Sequence, residues 1–211
     1  MLCMKKGIFI TFEGPDGSGK TTISKYVCEE LAKKGYSVIY SREPGGSEIA
    51  EEIRNIILDP KNTAMDVRTE ALLYAASRRQ HYVEKIKPAI ERGDIFICDR
   101  FVESSLAYQG FGREIGIDAI YELNQFAIEG KLPDMTVFLD VSPEVGLKRI
   151  ESRSNKDRLD QETTAFHQRV YAGYQEVLHR YRDRMHVIDA TQSEQTVKDT
   201  ALQTVLEWLE K

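Results

Sequence analysis

The run Gly14-Pro15-Asp16-Gly17-Ser18-Gly19-Lys20-Thr21 constrains this chain more than any other feature. It matches G-x-x-x-x-G-K-[ST] without a gap, follows a strand-like segment at 8–12 and opens a helical pattern at 20–34. Strand, glycine loop and helix in that order are what a phosphate cradle requires. Glycines let backbone N–H groups converge on a polyphosphate, and the helix N-terminus adds partial positive charge. Lys20 can reach the outer phosphates, and the Thr21 hydroxyl can ligate magnesium. A nucleoside triphosphate is therefore the expected ligand.

The rest of the chain supplies a scaffold of the matching kind. Short β-branched or aromatic runs at 8–12, 38–40, 95–98, 136–139 and 187–188 read as five buried strands. Helical periodicity fills 20–34, 47–58, 66–92, 101–108, 116–129, 143–153, 163–184 and 193–210. Alternation of this kind predicts an α/β fold, a parallel sheet with helices on both faces. At 211 residues, with no fixed-period repeat and no low-complexity linker, one domain over 1–211 is expected.

Composition narrows the partners. With 29 Lys+Arg against 34 Asp+Glu the net charge is −5, which argues against a nucleic-acid binder. No apolar run approaches the ~20 residues of a membrane span. Residues 1–6 lead into the first strand without a signal-peptide core, and the three cysteines follow neither a zinc nor a disulfide spacing. A cytoplasmic protein with no membrane or nucleic-acid partner is the expectation.

Nucleotide binding alone leaves a small-molecule kinase, a regulatory GTPase and a motor ATPase open. No Asn-Lys-x-Asp segment follows a late strand, and the third strand ends in Asp99-Arg100 rather than an acidic pair. An arginine beside the phosphate loop suggests a second anion, belonging to an acceptor. Arg42-Glu43-Pro44-Gly45-Gly46 ends the second strand, where ligands of open α/β sheets bind. Tyr74 and Arg78 are i and i+4 and share a helix face. Ser105, Tyr108 and Gln109 fall on one side of the short helix after Arg100. The polar segment 152–161 has the character of a flap or lid.

These strings, with Asp99-Arg100-Phe101-Val102-Glu103-Ser104-Ser105-Leu106-Ala107-Tyr108-Gln109-Gly110 and Asp157-Arg158-Leu159-Asp160-Gln161-Glu162, resemble the bacterial thymidylate kinases essentially end to end. The resemblance implies a three-layer α/β/α fold with strand order 2-3-1-4-5. It implies transfer of the ATP γ-phosphoryl group to dTMP, with Mg2+, by a homodimer. By the same resemblance Arg100 and Arg42 hold the dTMP phosphate, with Arg54 nearby. Tyr74 stacks on the thymine, Arg78 donates to a thymine carbonyl, and Gln109 answers the imide edge. Tyr108 presses on the sugar, Asp16 faces its 3′-hydroxyl, and Glu43 and Asp99 arrange water and magnesium. Arg149 packs on the adenine, leaving Arg153 and Arg158 as the candidate lid cations for the phosphates. The family usually has Phe at position 74, so the Tyr hydroxyl is a departure that needs a partner if buried.

The remaining readings are plainer. A carboxylate in a phosphate loop repels the ligand, so Asp16 should point to the acceptor sugar or to solvent. His81, His167, His179 and His186 follow no metal spacing, and Cys98 reads as a small core residue. The acceptor phosphate has a second pKa of ~6, so no general base is expected. Another nucleoside monophosphate kinase, or a nucleotide-dependent regulatory module, is the alternative function.

Overall fold

A computed structural model describes residues 7–151 and 157–210. The apolar runs form β1 (Ile8–Glu13), and the glycine loop leads into α1 (Lys20–Lys33). Next come β2 (Val38–Arg42), α2 (Glu48–Leu58), α3 (Val67–His81) and α4 (Lys87–Arg92). The middle of the chain is β3 (Ile95–Asp99), α5 (Val102–Ser105), α6 (Ile117–Ile128) and β4 (Met135–Asp140). It closes with α7 (Pro143–Ile150), α8 (Thr164–Arg180), β5 (Met185–Asp189) and α9 (Glu194–Leu209).

The five strands make one sheet, ordered β2-β3-β1-β4-β5 and parallel at every pairing, as expected. β1 lies between β3 and β4, so chain connections leave it in opposite directions. The crevice opened at that switch point, beyond the strands' carboxyl ends, is where a ligand binds. Alternation along β1 sends Phe9 to one apolar layer and Ile10 and Phe12 to the other. The first layer holds Phe96, Phe101, Phe138 and Tyr174 under α3, α5, α6 and α8. The second holds Val27, Ile97, Leu139 and Val205 under α1 and α9. Cys98 is buried in the first layer, as its strand position predicts.

Two expected helices differ in a way that bears on function. The single helix at 66–92 contains a π-helical segment, Tyr82–Ile86, between α3 and α4. Pro88 follows it in the first turn of α4. Proline has no N–H and its ring crowds the carbonyl four residues back, so a wider turn there relieves both defects. The helix at 101–108 becomes α5 followed by a π segment, Leu106–Gly112, that carries Tyr108 and Gln109. At the other expected ends, 143–153 is described as helix to Ile150, and 163–184 passes from α8 into a 3-10 turn, Arg182–Arg184. Among the described residues no helix is long and apolar enough to cross a membrane.

Candidate active site

One cleft of about 270 Å³ opens at the switch point. Its walls come from the loop after β1, the turn after β2, α3, the end of β3, α5 and the π segment that follows.

The loop after β1 has Gly14, Gly17 and Gly19 at φ of 142°, 77° and 90°, conformations that turn successive N–H groups inward. Gly17 has a second reason to be glycine. A Cβ there would lie 2.1 Å from the Gly146 carbonyl oxygen of α7, so the loop rests directly on another backbone. Pro15 and Ser18 close the loop through Ser18 N donating to the Pro15 carbonyl, 3.2 Å. Lys20 curls over it, donating to the Pro15 carbonyl at 2.7 Å and to Ser18 Oγ at 3.3 Å. Burial and the nearby Arg100 guanidinium depress the Lys20 pKa to about 8, against the pull of Asp16, Asp99 and Glu13. The Thr21 hydroxyl donates to Asp99 Oδ2. Asp99 Oδ1 is buried with no hydrogen-bond partner among the described residues.

Three arginines face this loop from the acceptor side. Arg42 and Arg54 both donate to the Pro44 carbonyl, at 2.7 and 2.9 Å, next to the cis Glu43–Pro44 bond. Burial and the adjacent Arg42 push the Arg54 pKa down, while Glu51, paired with Arg42 at 3.0 Å, opposes the shift. Arg100 leaves β3 at φ 70°, the left-handed region that non-glycine residues rarely occupy. Its guanidinium pairs with Asp16 and donates to Ser104 Oγ at 3.1 Å. The Tyr108 hydroxyl donates to the other Asp16 oxygen at 2.6 Å. Burial raises the Asp16 pKa, but Arg100, Lys20 and Tyr108 outweigh it and hold the carboxyl at about 2. Asp16 is thus turned to Arg100 and Tyr108 rather than to solvent.

Glu13 at the end of β1, which the sequence reading missed, holds the Arg100 turn in place. Its Oε1 accepts from the N–H groups of Phe101 (2.7 Å) and Ser104 (3.2 Å). Its Oε2 accepts from the Ser104 hydroxyl (2.6 Å) and the Tyr174 hydroxyl (3.0 Å). Burial, then the adjacent Glu103, raises the Glu13 pKa to about 7, while Arg100, Ser104 and Phe101 oppose the rise.

Beyond the arginines lies a pocket between Tyr74, Arg78, Ser105 and Gln109. Arg78, only 2% exposed, donates Nε–H to Glu43 (2.7 Å), Nη1 to Ser105 Oγ (3.0 Å) and Asn124 Oδ1, and Nη2 to the Phe101 carbonyl (2.9 Å). These bonds use four of its five N–H groups and leave one Nη2 hydrogen for a ligand. Tyr74 lines the cleft with its phenol pushed up by burial and by Glu70, so it is a neutral aromatic face.

Two expectations are corrected. Glu43 was expected to arrange water and magnesium, but its oxygens face Arg78 (2.7 Å) and His81 (3.0 Å), and it orients Arg78 instead. Glu43, His81 and Cys98 do approach one another within 4.8 Å, yet the Arg78 guanidinium on Glu43 opposes any cation there. Arg158 was expected at the phosphates. It is buried instead, donating to Glu70 (2.6 Å) and to the Ile57 carbonyl (2.8 Å), and reaching the phosphates would break both bonds. Arg149 bridges the Gly17 carbonyl (3.3 Å) and the Ala190 carbonyl (3.0 Å) at the exposed rim of the loop. Arg153, with the 152–156 half of the expected lid, lies outside the described residues, while Asp157, Leu159 and Asp160 of the other half line the cleft.

Glu70 is the other residue that sequence reasoning passed over. It lies four residues before Tyr74 and eight before Arg78, so it shares their helix face, and that spacing was the available signal.

The chain has close counterparts. A family model described as Thymidylate kinase matches residues 12–201. The thymidylate kinase of Bacillus pumilus is 52% identical over 97% of this chain and 98% of its own length. That of Lacticaseibacillus casei is 54% identical over 94% of this chain and 95% of its own. The crystal structure of thymidylate kinase from Ehrlichia chaffeensis superposes with a TM-score of 0.75 at 34% identity, covering 97% of this chain and 99% of that one.

Proposed function

The chain belongs to the thymidylate kinase family, and from that premise we propose which of its groups carry the transfer of a phosphoryl group from ATP to dTMP. The enzyme is a dTMP kinase, and its products are dTDP and ADP. The observation that carries the residue reading is the convergence of two cation sets, Lys20 on one side and Arg42, Arg54 and Arg100 on the other, around one cleft.

Phosphoryl transfer asks for positioning and charge neutralisation more than for covalent chemistry. The ATP phosphates sit in the loop after β1, with Lys20 tracking the transferred group. The acceptor phosphate, largely a dianion at neutral pH, lies against Arg100, Arg42 and Arg54 and needs no general base. Asp16 and Tyr108 form the wall beside the acceptor sugar. Tyr74 stacks on the thymine, the free Arg78 N–H donates to a base carbonyl, and Gln109 meets the imide edge.

Magnesium fits the residues present. The Thr21 hydroxyl adjoins Asp99, whose buried Oδ1 has no other partner among the described residues. Bound there, the ion would screen the charge of the phosphates as it is redistributed during transfer. Thr21 and Asp99 are the groups that would hold it. The homodimer belongs to the same proposal. α2, α3 and α6 present Ile49, Ile56, Leu72 and Phe126 to solvent, and Phe126 at 87% exposed is a large apolar group to leave uncovered.

Release of ADP should be stimulated by dTMP far more than by UMP, CMP, AMP or GMP in a coupled assay. No stimulation by any of these acceptors would overturn the kinase reading.

The depressed Lys20 pKa adds a test of the ATP site. Burial and Arg100 hold it near 8 in the free protein, and triphosphate charge must raise it again. Binding at pH 8 should therefore take up about half a proton, falling to ~0.1 at pH 7 where Lys20 is already charged. Calorimetric titrations of ATP in buffers of different ionisation enthalpy measure this. Heats independent of buffer at pH 8 would remove Lys20 from the site.

A further inference from the structure

A glutamine amide is nearly symmetric in shape, and a half-turn about its last torsion exchanges a donor for an acceptor. A pocket that reads a base through Gln109 therefore discriminates only if something stops that turn. Behind Gln109, which is 1% exposed, its Nε2 donates 2.9 Å to Oε1 of Glu70, itself 1% exposed. Arg113 donates Nε to Glu70 Oε1 at 3.2 Å and Nη2 to Oε2 at 3.0 Å, and Arg158 donates to Oε2 at 2.6 Å. We propose that Glu70, clamped between Arg113 and Arg158, is a specificity-determining positioning residue that locks the Gln109 amide with its carbonyl facing the acceptor base.

The chemistry runs in one direction. An ionised carboxylate accepts hydrogen bonds and cannot donate, so only the NH2 side of Gln109 can face it. Burial favours the protonated acid, but Arg113, Gln109 and Arg158 outweigh it and keep the Glu70 carboxyl below its usual range. Turning the amide would set its oxygen against a buried anion and strip that anion of a donor. The pocket consequently offers an acceptor, Gln109 Oε1, near a donor, the remaining Arg78 N–H. A base carrying N–H beside a carbonyl, as in thymine, satisfies both. A base carrying a bare ring nitrogen beside an amino group, as in cytosine, meets like with like at both positions. The inference rests on the acceptor-site reading above, and it gives Arg158 a role its burial allows: it clamps the carboxylate that sets the reader.

The test is Glu70→Gln, which preserves shape but lets residue 70 either donate or accept. The ratio of dissociation constants for dCMP and dTMP, the weaker ligand measured by competition, should fall about tenfold or more. KM for dTMP should rise while KM for ATP stays near wild type. A merely structural role would weaken both acceptors together and leave the ratio unchanged, and that result from a folded variant overturns the inference. Should Glu70→Gln fail to fold, the wild-type side-chain amide decides. In 15N-labelled enzyme the Gln109 amide, assigned by its loss in Gln109→Ala, should exchange slowly and keep its Glu70-bonded shift when dTMP binds. Exchange as fast as a solvent-exposed glutamine overturns the proposal. Wild-type enzyme that fails to phosphorylate dTMP would fail the acceptor-site reading first, so the two failures are distinguishable.

Discussion

Lys20→Ala is expected to lower kcat at least about a thousandfold, because it removes the cation placed where charge develops during transfer. Among the described residues the lysine bonds only within its own loop, to Pro15 and Ser18. It is also a buried cation beside Arg100, which depresses its pKa. Its removal relieves that repulsion, so thermal unfolding should change little. ATP affinity should fall much less than kcat, the signature of an interaction made mainly in the transition state. Single-turnover rates at saturating ATP, with ATP titrations on the same variant, separate the two. A kcat within tenfold of wild type would take Lys20 out of the chemistry.

The largest effect on stability is expected at Arg184. Glu103 on α5 is 0% exposed and paired with Arg184, which reaches it from the turn before β5. On its other side stands Glu13, whose pKa burial and Glu103 together raise to about 7. Arg184→Ala leaves the buried Glu103 carboxyl without its paired cation, beside Glu13, and should cost about 3–5 kcal/mol in urea unfolding. Adding Glu103→Gln should recover much of the loss, since it removes the charge left without its partner. The pH dependence has a definite sign. A carboxyl whose folded pKa is raised binds a proton in the native state first, so its contribution favours folding at low pH and is lost as pH rises through about 7. That contribution of Glu13 should be present in wild type and in Arg184→Ala alike. A cost under about 1 kcal/mol would mean that Glu103 is neutralised by other means.

Both residues show where sequence reading reaches and where it stops. Lys20 was legible because its partners are local: strand, glycines and helix lie within fifteen residues and dictate one another's geometry. The same holds for Tyr74 and Arg78 on one helix face, and for the alternating apolar runs that specify a parallel sheet. Arg184 and Glu103 are 81 residues apart, and on paper each is one charge among many on a polar helix face. The π segments were missed for a related reason: they widen a turn to relieve crowding or to aim side chains, without interrupting helical periodicity.

The amino-acid sequence by itself determined the phosphate loop, the order of strands and helices, and most of the side chains that meet in the cleft. The tertiary structure decided which way those side chains point. It turned Asp16 toward Arg100, took Arg158 from the expected lid to Glu70, and set Glu13 and Glu70 as anchors behind the residues that face the ligands. The physical reason is burial. Glycine geometry and helical spacing are properties of neighbouring residues, and they act before the chain is folded. The direction of a charged side chain depends on which opposite charge is desolvated beside it, and folding alone brings those partners together.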